Sequence, residues 1–413
     1  KNRNLENLLT FEQYFILIRE WIKNAQEDIP QYLDKIIEKN LICLNSFNNT
    51  NRELPLFNGT TERDLSVFFN YIKKMNYKAN NQLSFVGKMQ IIKNKKTTIY
   101  FDSGGPPNYK LSKDYQSGPL SFEYFNNENK IITNCGYGRK ISNKIRLISK
   151  LTSAQSTLCL NNVSVVKFKK NHFINKAYGS TIDESFNISN INREENKERI
   201  NISAIHDAYL KNFGYLHKRE IIFFKKDSYL KGTDELIKKK ETKRFLNFSI
   251  RFHIYPGVET FQTVGGNDIL LQISKNNSLI FSSKNNIVRL EKSVFLGKNK
   301  ITYNGRSRYN KDIINRVGNR CVNRIKCYKQ EKDREIEYFN RLGNENIELT
   351  IFTFGDESDE DLLKECNFNV YPIYKYIKRP RYKIFRILKS FAFPFFIKKN
   401  IDFDLVKQNQ LQG

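Results

Sequence analysis

The sequence predicts a mainly β protein, an antiparallel β-sandwich that a few helices precede and a short α/β segment follows. Two changes of pattern support this prediction. Apolar residues recur about every 3.6 positions before Leu83 and every second position after it. Near Lys300 the pattern changes to strand, helix and strand. We therefore expect a helical segment at residues 1–80, a sandwich at 81–300 and an α/β segment at 301–413, the last of them truncated.

Helices are expected between residues 5 and 76. The apolar positions at helical spacing are Leu9, Phe15, Ile18, Trp21 and Ile22 before Pro30, and Leu33, Ile36, Ile37 and Leu41 after it. A third helix is expected at 61–74, with Thr61 as its N-cap. Three helices of this size bury little apolar surface by themselves, so we expect them to pack on the sandwich.

The stretch 98–162 predicts a β-meander around a glycine-rich loop. A strand ends at Phe101, because the glycines and prolines of residues 102–107 cannot continue it. Further strands are expected at 120–124, 130–134, 157–160, 163–168, 220–225, 247–254, 269–273 and 279–282. Residues 183–200 are polar, and we expect a surface loop there. In the strand 247–254, alternation places Ser249, Arg251 and His253 on the face opposite the apolar residues.

The segment after residue 300 predicts a βαβ unit with a parallel sheet. Strands are expected at 347–354, 369–373 and 403–406, and helical segments at 358–366 and 381–396. The segment weakly resembles the opening of the Rossmann-type N-terminal half of a glycosyltransferase. The alternative is a helical and strand appendage to the sandwich.

The formal charge of +27 at pH 7 favours a polyanionic partner. The excess of lysine accompanies asparagine, isoleucine, phenylalanine and tyrosine, which is also the composition that an AT-rich coding sequence produces. Both explanations stay open. Because no nucleic-acid-binding motif accompanies the charge, we expect an acidic polysaccharide or oligosaccharide as the partner, and no nucleic acid.

The six cysteines show no CxxC spacing, so we expect buried thiols rather than disulfides or a zinc knuckle. The chain starts at Lys1, and we expect that its true N-terminus is missing. A signal peptide would then lie outside the given sequence. The apolar run 390–397 is far shorter than the roughly 20 residues that a membrane helix needs, and it contains Pro394. No transmembrane segment is therefore predicted.

Short motifs at residues 85–297 resemble, in the same order, the C-terminal β-domain of heparinase II/III-like proteins, particularly those of alphaproteobacteria. The motifs are DSGGPP (102–107), SGPLSFE (117–123), NCG (134–136), TSAQSTL (152–158), HDAY (206–209), HKR (217–219) and RFH (251–253). The resemblance implies that the N-terminal helices are the last ones of an α/α toroid. It also implies a periplasmic or cell-envelope location.

The resemblance further implies a polysaccharide lyase, which abstracts the proton next to a uronic acid carboxylate and expels the 4-linked sugar. Such a reaction needs a donor for the carboxylate, a base and an acid. Gln116 stands where these lyases have a catalytic histidine, and Asp114 where they have its partner histidine. Asn134 replaces an aspartate, and Gln155 a histidine. Amides carry no proton near neutral pH and are poor zinc ligands, so we expect no zinc and no other cofactor.

The candidate catalytic residues are Tyr115, Gln116, His206 and His217, and the candidate substrate-binding residues are Asn134, Gln155, Arg219, Arg251 and His253. The two arginines fit either a uronate carboxylate or a structural salt bridge. Tyr115 could act only if a nearby cation lowered its pKa from about 10. We expect the polar candidates to converge on one concave surface beside the loop 102–119.

Two functions remain open from the sequence. The first is a heparinase II/III-like polysaccharide lyase that is incomplete or impaired in this chain. The second is a non-catalytic, carbohydrate-binding or envelope-associated β-sandwich protein. The replacements at Gln116, Asn134 and Gln155 favour the second function for this chain, and the family resemblance favours the first for a full-length protein.

Overall fold

In the computed structural model, three helices lead into a series of antiparallel strands. The helices are α1 (Leu5–Asn24), α2 (Gln31–Ser46) and α3 (Ser66–Lys74), and shorter ones follow at α4 (Asn143–Ile148) and α5 (Leu210–Phe213). No helix among the described residues is long and apolar enough to cross a membrane.

The structure describes two units of the chain, residues 1–329 and 330–413. The described residues are 2–49, 52–79, 81–127, 129–169, 180–241, 246–263, 268–284 and 287–298, with the backbone of 322–328, 350–353 and 369–372. The helices predicted at 358–366 and 381–396 and the strand predicted at 403–406 lie outside these residues.

The ends of the first three helices follow local side-chain contacts. Asn4 accepts a hydrogen bond from the backbone N–H of Asn7 and caps α1, while Pro30 directly precedes α2. The predicted start of the third helix at Thr61 is wrong. The Thr61 hydroxyl donates to Glu6 at 2.9 Å, and Asp64 accepts from the N–H of Ser66 at 2.7 Å, so the helix begins after Asp64.

The helices pack on the sheet through one shared hydrophobic cluster, as predicted. The cluster joins Leu9, Ile16, Leu33, Ile37, Leu41, Phe68 and Ile72 of the helices to Met89, Ile91, Tyr100 and Phe125 of the strands. Ile18 and Trp21 are 41% and 62% exposed, although they belong to the apolar repeat. The repeat therefore predicted the helix but not its buried face.

The strands of the first unit form three sheets in which every pair is antiparallel. They are β1 (Phe85–Val86), β2 (Met89–Asn94), β3 (Thr97–Asp102), β4 (Phe122–Asn126), β5 (Asn129–Thr133), β6 (Leu158–Leu160), β7 (Ile188–Glu195), β8 (Arg199–His206), β9 (Tyr215–Phe224), β10 (Tyr229–Lys238), β11 (Phe248–Ile254), β12 (Glu259–Gln262), β13 (Asp268–Ser274), β14 (Asn277–Ser282), β15 (Ile287–Ser293) and β16 (Val322–Tyr328).

The first sheet has the order β1-β2-β3-β4-β5-β11-β16-β15, and β6 also pairs with β11. The second sheet has the order β10-β9-β8-β7, and the third has β12-β13-β14. Ile99 and Phe101 of β3 share a hydrophobic cluster with Ile202 of β8 and Ile221 of β9. Tyr100, between them, packs with the helices instead. The first sheet is thus covered on both faces, and the predicted sandwich with its helices is confirmed.

Two predictions about strands are wrong. Residues 163–168 form no strand, and Phe168 makes only an isolated bridge to Ile182. The predicted loop 183–200 contains β7 and the start of β8. Among the described strands β7 pairs with β8 alone, so it is an edge strand. Its exposed, polar sequence lacks the alternation that marks a strand with one buried face.

The second unit contains two described strands, β17 (Thr350–Thr353) and β18 (Asn369–Pro372), which pair in parallel. Both lie where the sequence predicted strands, and their parallel pairing agrees with the predicted βαβ unit. The resemblance to the start of a glycosyltransferase domain remains a prediction.

A buried ion pair links β4 to β5. The side chains of Glu123 and Lys130 are both 0% exposed, and Oε2 lies 3.3 Å from Nζ. The other oxygen, Oε1, accepts from the hydroxyl of Thr133 and the N–H of Asn134. Lys130 Nζ also lies 5.2 Å from the centre of the Phe125 ring. Neither Oε2 nor Nζ has an aligned hydrogen-bond partner among the described residues, and the charge of Lys130 also acts on the carboxyl group of Glu53.

We predict that Lys130→Met lowers the free energy of unfolding by about 3–5 kcal/mol, because it leaves a buried carboxylate without its counter-charge. The double variant Lys130→Met/Glu123→Gln should lose much less. Urea unfolding of both variants and the wild type measures this. Equal losses in the single and double variants would contradict the prediction.

Candidate functional site

Gln116 is buried, and its amide is fully engaged by the backbone. Its Oε1 accepts from the N–H of Gly59 at 3.0 Å, and its Nε2 donates to the carbonyls of Gly136 and Ser149, each at 3.0 Å. Gln155 Nε2 donates to the same Ser149 carbonyl at 2.9 Å. The two glutamines therefore converge as expected, but inside the protein rather than on a concave surface.

Asn134 and Gln155 also fix loop positions. The Nδ2 of Asn134 donates to the Leu56 carbonyl, and its Oδ1 accepts from the N–H of Ser156 at 2.9 Å. Gly118 lies so close to Gln155 that a Cβ at this glycine would come within 2.8 Å of the Gln155 Cγ. These amides therefore hold neighbouring loops in place.

Tyr115 is buried at 2% exposure, and burial raises the pKa of its hydroxyl far above the ordinary value. The charge of Arg3 acts in the opposite direction but is a smaller effect. The lowered pKa that acid–base chemistry would need is thus opposed by the surroundings of Tyr115. Tyr115 therefore remains a candidate only because it lies beside Gln116.

The donor set at these positions does not fit a zinc ion. Gln116, Asn134 and Gln155 present amides whose atoms are engaged with the backbone, and the Asp114 carboxylate accepts from the hydroxyl of Tyr137 at 3.1 Å. Within the part of the chain that the structure describes, no group of three or more His, Cys, Asp and Glu side chains is arranged to hold a metal ion.

His206, His217 and Arg219 meet in a second group of buried candidates. Alternation along β8 and β9 puts them on the inward face of the second sheet, with Ile202 and Ile221. In the register His206 lies opposite His217, and Arg219 opposite Asp234 of β10. The sequence motifs singled out the first three residues but missed Asp234. The register of the β9–β10 hairpin was the signal that could have found it.

The hydrogen bonds of this cluster form a directed chain. The N–H of Ala208 donates to His206 Nδ1 at 3.2 Å, so that the proton of His206 lies on Nε2. His206 Nε2 then donates to His217 Nδ1 at 2.9 Å, and His217 Nε2 donates to Asp234 Oδ1 at 2.6 Å. Each histidine is therefore neutral, with one nitrogen donating and the other accepting.

Arg219 closes the cluster and ties it to the opposite sheet. Its Nε and Nη2 donate to the two oxygens of Asp234 at 2.7 and 3.0 Å. Its Nη1 donates to the carbonyls of Leu120 and Ser156, both at 2.9 Å. The guanidinium is thus engaged in a structural salt bridge, one of the two alternatives that the sequence left open.

Burial and neighbouring charges set the protonation of this cluster. Burial lowers the pKa of His206 well below its ordinary value, and a positive charge on His217 or Arg219 lowers it further. Burial also lowers the pKa of His217, although Asp234 opposes this effect. Burial would raise the pKa of Asp234, but Arg219 and His217 outweigh it and hold the pKa below the ordinary value.

Arg251 and His253 lie in the interior rather than on an open face of β11. Both side chains are buried, whereas Phe248 and Phe252 on the opposite face are half-buried. The alternation predicted along this strand is therefore confirmed, but its polar face is buried. Phe252 packs against Phe281 of the third sheet, with the ring centres 5.0 Å apart, and the backbone N–H of His253 donates to Ser156 Oγ. His253 Nδ1 lies 2.9 Å from Ser293 Oγ and 3.2 Å from Cys135 Sγ, and its Nε2 lies 3.1 Å from the Ser153 carbonyl.

Cys135 and Cys159 are buried, and the described cysteines Cys43, Cys135 and Cys159 form no disulfide bond.

We predict that the two buried histidines make the fold less stable as the pH falls below about 6.5. The unfolded chain takes up these protons near pH 6.5, whereas the folded chain, whose histidine pKa values are lowered, does not. The free energy of unfolding should therefore fall with decreasing pH, by up to about 1.4 kcal/mol per pH unit for each histidine.

The variant His206→Gln removes one of these groups and keeps an amide that can donate to His217. Its unfolding free energy, measured in urea from pH 8 to 5, should fall less steeply than that of the wild type. NMR titration of the wild-type ring signals should show both histidines neutral at pH 6. Identical slopes, together with rings that titrate near pH 6.5, would contradict the prediction.

Comparison with known proteins agrees with the resemblance drawn from the sequence motifs. A family model described as heparinase II/III-like, C-terminal, matches residues 85–328. The heparan sulfate lyase HepC from Pedobacter heparinus is similar in structure, with a TM-score of 0.57 and 14% identity over 79% of this chain and 50% of that one. A solved heparinase III has a TM-score of 0.53 and 13% identity over 80% of this chain and 54% of that one.

The sequence is also similar to that of a bacterial protein. FtsZ-localized protein C from Caulobacter vibrioides (strain NA1000 / CB15N) is 24% identical over 185 residues, which are 43% of this chain and 31% of that protein. The chain thus spans between about a third and a half of the length of the proteins it matches. The family match, in contrast, covers more than half of the present chain. The chain therefore belongs to the heparinase II/III-like family, and residues 85–328 correspond to its C-terminal part.

Proposed function

We propose that this chain recognises an acidic polysaccharide of the glycosaminoglycan class and does not itself supply the proton carriers of a lyase. The observation that carries the proposal is the state of Gln116. Its side chain stands at a position that the family resemblance assigns to catalysis, yet three backbone contacts occupy its amide. An amide so engaged has neither a proton to transfer near neutral pH nor a free atom for a substrate.

The other candidates support recognition over proton transfer. His206 and His217 are 0% exposed, and their hydrogen-bond chain ends on the backbone N–H of Ala208, where no substrate proton can enter. Burial raises the pKa of Tyr115 instead of lowering it. A base must come within hydrogen-bond reach of the proton that it abstracts, and these groups lie beneath the surface.

The acidic nature of the ligand is supported by charge and by the structural neighbours. The sequence carries a net charge of +27, which attracts polyanions. One of the structural neighbours is a lyase of heparan sulfate, a polyanionic polysaccharide. The same neighbour favours the second candidate function, β-elimination, for a longer protein that contains this part.

A binding and activity experiment with heparan sulfate tests the proposal. At about 0.15 M salt, where surface charges are screened beyond roughly 8 Å, the chain should bind heparan sulfate and not neutral dextran. A lyase creates a C4–C5 double bond, so the ultraviolet absorbance of the mixture is followed at the same time. We expect binding without a rise in absorbance.

Duplex DNA at equal charge concentration serves as the competitor. It should displace heparan sulfate poorly if sugar groups, and not charge alone, are recognised. Equal competition by DNA, or no binding of heparan sulfate, would overturn the proposal. A steady rise in absorbance would instead establish the lyase function.

A further inference from the structure

The positive charge of the chain is concentrated in one part of the sequence. Residues 129–182 contain ten lysine and arginine residues and no aspartate or glutamate. The 413 residues of the chain include 43 acidic ones, so a stretch of 54 residues with the average composition would hold between five and six. A compositional bias toward lysine does not by itself remove acidic residues from one stretch. The local excess of positive charge therefore needs its own explanation.

The buried side chain of Lys150 brings three segments of the chain together. It is 1% exposed, and its Nζ donates to the carbonyl of Lys113 at 2.8 Å and to the carbonyl of Ser180. The same Nζ lies 4.3 Å from the centre of the Phe168 ring. The segments that meet around this ammonium group are residues 109–114, 137–150 and 167–169.

A second contact joins the first two of these segments. The hydroxyl of Tyr137 donates to Asp114 Oδ1 at 3.1 Å. Burial raises the pKa of this hydroxyl, and the nearby charges of Arg146 and Arg139 oppose the effect. Asp114 is the acidic residue of the first segment, and it is buried at 7% exposure. The exposed charges of the two segments are therefore all positive.

Five exposed side chains carry this charge, and we call them the basic face: Lys110, Lys113, Arg139, Lys140 and Lys144. None of the ion pairs formed among the described residues involves any of the five. Cations that gather without carboxylate partners create a positive potential that attracts an anionic ligand.

An exposed aromatic ring lies beside the basic face. Tyr109 is 52% exposed, and the Nζ atoms of Lys110 and Lys169 lie 5.9 and 5.7 Å from the centre of its ring. It is the one exposed aromatic residue among the described residues of the three segments. Proteins that bind single-stranded nucleic acid stack successive bases on several aromatic rings. A single ring between two ammonium groups instead suits one sugar ring that carries anionic groups.

We propose that the basic face binds a sulfated glycosaminoglycan, with sulfate and carboxylate groups at its five cations and the apolar side of one sugar ring on Tyr109. The inference rests on the proposed function, because it gives a location to the recognition of an acidic polysaccharide. Five cations spread over two segments match a polymer whose anionic groups repeat along its length.

Calorimetric titration of two double variants with heparan sulfate tests the site at about 0.15 M salt. The variants are Lys110→Ala/Lys113→Ala and Arg139→Ala/Lys140→Ala. Each should bind roughly five- to thirtyfold more weakly than the wild type, because two exposed charged contacts are lost. The affinity of each should also depend less steeply on salt, since fewer cations displace counterions from the polymer. Alanine at position 113 keeps the carbonyl that accepts from Lys150.

Lys231→Ala/Lys275→Ala is the matched control. Lys231 lies on β10 and Lys275 in the turn between β13 and β14, and both are exposed. Neither takes part in an ion pair among the described residues, so this variant loses the same charge outside the basic face. Its affinity and its salt dependence should stay near those of the wild type.

Two variants of Tyr109 test the sugar contact. Tyr109→Ala should bind several-fold more weakly, whereas Tyr109→Phe keeps the ring and should bind nearly as well as the wild type. Thermal unfolding of every variant confirms that it is folded. Equal affinities of Tyr109→Ala and the wild type would overturn the contact with a sugar ring.

The possible outcomes separate this inference from the proposed function. If heparan sulfate binds but the two double variants behave like the control, the basic face is not the site and the proposed function stands. If duplex DNA or phosphatidylserine vesicles bind with the same dependence on these residues, the face recognises anions or membranes in general, which overturns the inference. If heparan sulfate does not bind the wild type, both proposals fail.

Discussion

The guanidinium of Arg219 joins the two main sheets, and the geometry of the interior depends on it. It is 2% exposed, and four of its hydrogen bonds divide evenly between Asp234 in its own sheet and two carbonyls on the other side of the core. A buried charge is tolerated only where its partners are in place. The distance between the sheets and the path of the loops that carry Leu120 and Ser156 are therefore coupled to one side chain.

Three of the candidate residues, Asn134, Arg219 and His253, contact Ser156. Arg219 binds its carbonyl, Asn134 its N–H, and the backbone of His253 its hydroxyl. Because these contacts are made with the backbone, they depend on shape and hydrogen bonding and not on proton transfer. An amide can take the place of a histidine in such contacts, provided that its donor and acceptor reach the same partners.

The sequence predicted the elements better than it predicted their roles. The change of period at Leu83 located the start of the sheets, since β1 begins at Phe85. The motifs singled out Arg219, His206 and His217, but a motif does not show how deeply a side chain is buried. Alternation along β8 and β9 turns these side chains toward the core. Asp234 was missed because its pairing with Arg219 depends on the register of a hairpin. The edge strand β7 was missed because a strand with one neighbour needs few apolar residues.

That edge strand affects how the protein behaves at high concentration. The pairing of β7 with β8 shifts register between Ser189 and Asn192, and Asn190 has a positive φ, so the outer edge is kinked by a bulge. Arg193 is held by the Ile91 carbonyl and by Glu195. A strand from another molecule that paired here would meet a bent backbone and fixed charges. The exposed edge is therefore a poor template for the strand-to-strand stacking that begins aggregation.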